Sequence, residues 1–96
     1  MDAIQTKAFV IFLEELETQR ALFARYAQEP LVLDRIEELR ILMHRIKGGA
    51  GFFELDELQR IAGRGEEAAK NGDTQELASV LHQIVLVIHD VRVTLE

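Results

Sequence analysis

A chain of 96 residues that is 48% hydrophobic buries one core and not two, and without cysteine it does so by packing alone, which excludes disulfide staples, thiol catalysis and thiolate metal sites. A formal charge of −6 and a pI near 5.0 lack the basic footprint that binds nucleic acid or an anionic membrane, and point to protein partners. No apolar run approaches the roughly 18 residues that span a bilayer, and Met1-Asp2-Ala3 lacks the basic start of a signal peptide, so the expectation is a soluble, cytoplasmic domain.

The composition is helical: Leu, Glu, Ala, Arg and Gln are abundant, Pro30 is the only proline, and no hairpin signal separates alternating apolar residues. A first helix is predicted over about 2–28, with Phe9, Phe12, Leu16, Phe23 and Tyr26 at helical spacing and Pro30 closing it. The second, over about 33–52, has the most regular seam, with Ile36, Leu39, Met43, Ile46, Ala50 and Phe53 three and four residues apart. The third, over about 55–71, carries Leu55, Leu58, Ile61, Ala62, Ala68 and Ala69. Gly63 and Gly65 weaken it by roughly 1 kcal/mol each relative to Ala, and Asn71-Gly72 stops it. The fourth, over about 74–95, has Asp73 as its cap with Glu76 completing a capping box, and a seam of Leu77, Leu81, Ile84, Ile88, Val91 and Leu95. Val80, Val85 and Val87 widen that stripe and are assigned to the core. Four helices with short connections and one apolar stripe each make an all-α, up-down-up-down antiparallel bundle, a single domain over 1–96.

The stretch His44-Arg45-Ile46-Lys47-Gly48-Gly49-Ala50-Gly51 sacrifices helix propensity inside the helix with the most regular seam. At about 100° per residue, Met43 faces the core and His44 faces solvent, with Arg40, Lys47, Gly48 and Gly51 on its side of the helix. An exposed imidazole flanked by cations and bare backbone suits phosphoryl transfer. A partner approaches closely over the glycines, Lys47 neutralises phosphoryl oxygens, and a neutral imidazole offers a nitrogen lone pair. A second group follows from register. The turn between the second and third helices centres near Leu55; His44 lies eleven residues before it and Glu66 eleven after, at a similar height in an antiparallel pair. A carboxylate there reaches Nδ1–H, fixes the tautomer that leaves Nε2 free, and favours positive charge on the ring. Phe52, two turns beyond His44, is either buried at the helix end or part of a docking patch. His82 and His89 share a face of the fourth helix, but without a third ligand nearby they are read as surface residues and no metal is expected.

The octapeptide from His44 to Gly51, followed by Leu55 and Leu58-Gln59 and extending through Ala62, Glu66 and Asn71-Gly72-Asp73, resembles the signature of histidine phosphotransfer (HPt) domains over essentially the whole chain. It is most similar to the phosphorylatable N-terminal domain of chemotaxis-type histidine kinases. The resemblance implies a four-helix bundle phosphorylated on His44 Nε2 with Lys47 assisting, Gly48 keeping the docking surface open, and Glu66 matching the carboxylate that hydrogen-bonds the histidine. It further implies a phosphocarrier of a two-component phosphorelay with no ATP-binding or kinase activity and no cofactor. The phosphoryl group comes from a histidine kinase catalytic domain or from a receiver aspartate, whose own Mg²⁺ assists, and passes to a response-regulator receiver domain. Arg40, Gly48, Gly51 and Phe52 are the candidate docking residues of a monomeric domain. Three positions depart from the family pattern: Glu54 stands where many members have glycine, Gly63 where the chemotaxis-type members have histidine, and Gly65 where leucine is common. Two other functions compete: a non-catalytic bundle that binds a kinase or receiver without being phosphorylated, and, more weakly, a metal-assisted hydrolase built on the three histidines.

Overall fold

The structure is a computed structural model that describes residues 2–95, the last by its backbone alone; the predicted seam position Leu95 therefore lies outside the described side chains. Four helices follow in order, α1 (Ala3–Tyr26), α2 (Leu33–Phe52), α3 (Asp56–Lys70) and α4 (Thr74–Leu95). α2 packs on α3, α3 on α4 and α4 back on α1, in an all-α bundle with dimensions of 41 × 20 × 19 Å. α1 meets α2 through side chains toward the two ends of the rod. At one, Tyr26 Oη donates to the Glu38 carboxylate at 2.9 Å while the Arg35 guanidinium lies 3.5 Å from the Tyr26 ring centre. At the other, Phe9 and Phe12 pack against Phe53, with ring centres 4.8 and 5.4 Å away.

The seams converge as their spacing predicts. Leu16 and Phe23 of α1, Leu39, Met43 and Ile46 of α2, Leu58 and Ile61 of α3, and Leu77, Leu81, Ile84 and Ile88 of α4 are all buried. Each such side chain contributes roughly 1.5–3 kcal/mol of apolar burial. Val80 and Val87 join the core and Val85 packs against it. This width makes α4 long and apolar enough, by length and composition, to cross a membrane over Thr74–Thr94 (mean hydropathy 1.3), which corrects the expectation that no segment reaches that threshold. The reason is its place in the bundle: α4 packs against both α1 and α3 and supplies the largest share of the core.

Helix ends explain the connections. Asp2 caps α1: its Oδ1 accepts from Gln5 N–H at 2.8 Å while Gln5 Oε1 accepts from Asp2 N–H at 3.0 Å, a reciprocal box absent from the sequence reading. α2 and α3 both end in Schellman turns. After α3, Asp73 N–H donates to Ala68 O at 2.9 Å and Gly72 N–H to Ala69 O at 3.2 Å, with Gly72 at φ 65°. After α2, Leu55 N–H donates to Ala50 O at 2.8 Å and Glu54 N–H to Gly51 O at 3.2 Å, with Glu54 itself at φ 59°. A turn position that favours glycine is thus held here by Glu54, which pays for the left-handed conformation with roughly 1–2 kcal/mol of strain. The Schellman turn also corrects the box predicted at Asp73. Asp73 Oδ1 does accept from Glu76 N–H at 3.0 Å, but Asp73 N–H is already committed to Ala68, and the Glu76 carboxylate binds Arg64 at 2.5 Å instead.

Gly65 lies under the site and determines how closely α3 approaches its neighbours. A Cβ there would stand 2.8 Å from Met43 Sδ and 3.0 Å from Val80 Cγ1. The glycine that lowers local helix propensity thereby lets α3 sit tightly against both α2 and α4, and α3 runs unbroken through Gly63 and Gly65.

Candidate functional site

The α2–α3 contact positions the site. Met43 and Ile46 anchor the inner face of α2, which leaves His44 and Lys47 on the side turned toward α3 and solvent. Ala62, Gly65 and Ala69 give α3 a small-residue inner face, so its backbone comes near α2 and Glu66 is enclosed between the helices. Glu66 is 4% exposed and is the one buried charged side chain among the described residues.

An ionised carboxylate at such a position is tolerated only when paired. Glu66 Oε2 lies 2.6 Å from His44 Nδ1, Oε1 accepts from Lys47 Nζ, and Lys70 Nζ stands 3.8 Å from Oε2. The Lys47 hydrogen bond holds the Glu66 carboxyl below its ordinary range, desolvation opposes it, and the His44 hydrogen bond with the charges of Lys47 and Lys70 add to the lowering. An ionised Glu66 only accepts, which assigns the shared hydrogen to Nδ1; in the neutral imidazole the lone pair is then on Nε2. The His44 side chain is 66% exposed, so a reactive group has access to the ring.

The remaining predicted residues divide. Gly48 opens to solvent, with nothing within 4 Å of where a Cβ would lie. Gly51 does not: the Gln59 side-chain amide covers it, 2.7 Å from the same virtual atom, so its bare backbone serves the α2–α3 contact. At Gly49, the middle glycine of the run, the Phe12 ring of α1 fills the space a side chain would take. Phe52 is 66% exposed and stands edge-on to Phe53, on the outward side of α2 with Gly48 and the partly exposed Ile41. Arg40 is held by Glu37, through Nε at 2.9 Å and Nη2 at 2.5 Å, and is directed along its own helix instead of toward His44. Gly63 leaves room for the Lys47 stem, whose Cδ passes 3.5 Å from where a Cβ would be. His82 and His89 are exposed on α4, and among the described residues no three His, Asp or Glu side chains converge as a metal site.

Lys70 was not singled out by the sequence reading, although its place four residues after Glu66 is the spacing at which helical side chains meet. Gln59 over Gly51 and Glu37 on Arg40 were likewise missed, since both depend on rotamers that spacing alone does not select.

No curated protein and no solved structure matches the chain significantly. The family model described as "Hpt domain" matches residues 7–94, nearly the whole chain and all four helices. By that match the chain belongs to the Hpt domain family, whose members are phosphotransfer modules of phosphorelays.

Proposed function

We propose that His44 Nε2 is the phosphoryl acceptor of this domain, receiving the group from a histidine kinase or a phosphorylated receiver and passing it to a receiver aspartate. The observation that carries this reading is the buried Glu66 carboxylate 2.6 Å from His44 Nδ1. The Nε2 lone pair attacks phosphorus, a P–N bond forms, and the P–O bond to the donor breaks with its electron pair leaving on the donor oxygen. The ring gains positive charge, which Glu66 stabilises through Nδ1–H without taking the proton. Lys47, already beside Nδ1 through the shared carboxylate, has further N–H donors for the phosphoryl oxygens. In the return step the same contacts act in reverse.

The domain on this reading is a carrier that relies on its partners for ATP and Mg²⁺, with Gly48 and Phe52 forming the docking face beside His44. We place the domain in the cytoplasm, as a monomer, with the kinase and receiver domains it serves. Incubation with a phosphorylated receiver or cognate kinase should label the wild type and not His44→Gln, and the label should be acid-labile and alkali-stable. Equal labelling of both proteins defeats the assignment. Partner binding that survives His44→Gln, with no labelling by any donor, selects the non-catalytic module instead.

A further inference from the structure

We propose that Lys70 is a reserve counter-ion for Glu66, a positioning residue that holds the carboxylate ionised and aligned on His44 Nδ1 when Lys47 turns to a phosphoryl group on Nε2; this rests on the reading of His44 as acceptor. The groups facing Glu66 are few. From α2 come His44 and Lys47 in contact, with Arg40 farther off and committed to Glu37; from α3 comes Lys70.

The two lysines bracket the site along the bundle axis. Lys47 follows His44 by three residues on α2, whereas Lys70 follows Glu66 by four on the antiparallel α3, so they approach the carboxylate from opposite sides. In the unphosphorylated protein Lys47 binds Oε1 and Lys70 waits at 3.8 Å from Oε2, beyond hydrogen-bond distance but within a small side-chain rotation of it. Lys70 is half exposed and makes no other ion pair among the described residues, so nothing there competes for its charge. A phosphoryl group adds a charge of about −2 beside the ring. That charge draws the ammonium of Lys47 and disfavours a second anion nearby, which would drive a buried carboxylate to take up a proton and lose its grip on Nδ1–H. A cation arriving from the other side offsets this. The bland alternative is that Lys70 merely complements the C-terminal end of the α3 dipole, a role indifferent to Glu66.

The two are separated by following the Glu66 side-chain carboxylate by ¹³C NMR through a pH titration. Lys47→Met mimics recruitment of Lys47 without phosphorylation. In that background Lys70→Met should raise the Glu66 midpoint by about one pH unit, and Lys70→Arg should leave it in place. With Lys47 intact, Lys70→Met should shift it much less. After labelling with phosphoramidate, Glu66 should stay ionised at pH 7 in the wild type and in Lys70→Arg, and become partly protonated in Lys70→Met, with a several-fold shorter phosphohistidine lifetime. A Glu66 midpoint identical in Lys47→Met and Lys47→Met/Lys70→Met overturns the role of Lys70 and leaves the acceptor role of His44 intact. Absence of any phosphohistidine signal at His44 removes both.

Discussion

The same substitution, glycine to alanine, should have opposite signs at two positions of this bundle. Both Gly48 and Gly65 are helical, so alanine at either gains about 1 kcal/mol of helix propensity. At Gly48 the added methyl meets open space and the gain stands alone. At Gly65 it meets Met43 Sδ at 2.8 Å and Val80 Cγ1 at 3.0 Å. The thioether has some freedom to shift, but Val80 is branched at Cβ, fully buried and fixed by α4. Overpacking of that kind costs about 1–3 kcal/mol, so the net effect at Gly65 is a loss of up to about 2 kcal/mol. For a domain of this size 1 kcal/mol moves Tm by about 4–8 °C, so two variants about 1–3 kcal/mol apart should differ by roughly 4–24 °C in thermal unfolding followed by circular dichroism. The functional readings should also diverge. Gly48→Ala keeps the His44–Glu66 contact but roughens the docking face, slowing transfer while raising stability; Gly65→Ala pushes α3 outward and lengthens that contact. If Gly65→Ala proves as stable as Gly48→Ala, the close packing of α3 under the site is refuted.

Glu54→Gly should stabilise the protein by about 0.5–1 kcal/mol, measured by urea unfolding, because relief of the left-handed strain at φ 59° exceeds the extra unfolded-state entropy of glycine. Glu66→Gln should slow phosphorylation of His44 by about 10- to 100-fold, the worth of one hydrogen bond to a charged group, read from initial rates with a phosphorylated receiver. The pH dependence of stability should carry a Glu66 component. Its folded-state value lies below the ordinary 4.5, so the unfolded chain binds the proton more readily; the contribution is whole above that pH and is lost as pH falls through the lowered value. Acid titration of wild type against Glu66→Gln should show the two stability curves converging as pH falls from above 4.5 through the lowered value, and curves that stay parallel across that window contradict the pairing.

How much of this was legible in the sequence can be judged residue by residue. Four seams at helical spacing, one proline and the Asn71-Gly72 stop were enough to predict the bundle, because each apolar stripe has to be covered and short connections leave only antiparallel neighbours. Register did as much for the site: His44 and Glu66 are equidistant from Leu55, and an antiparallel pair with a fixed rise per residue brings them to one height. What register does not encode is the depth of packing and the choice of partner. That Glu66 is buried, that Gly65 serves α3 packing, that Gln59 closes Gly51 while Gly48 stays open, and that Glu37 holds Arg40 while Lys47 and Lys70 bracket the carboxylate all follow from how near two helices come. The capping box predicted at Asp73 failed for the same reason, since one N–H was claimed by the turn and one carboxylate by Arg64 across the bundle. Periodicity along the chain names the residues on a face, because helix geometry repeats; competition among those residues for a few donors and acceptors is decided by distances of a few ångströms that exist only once the helices have docked.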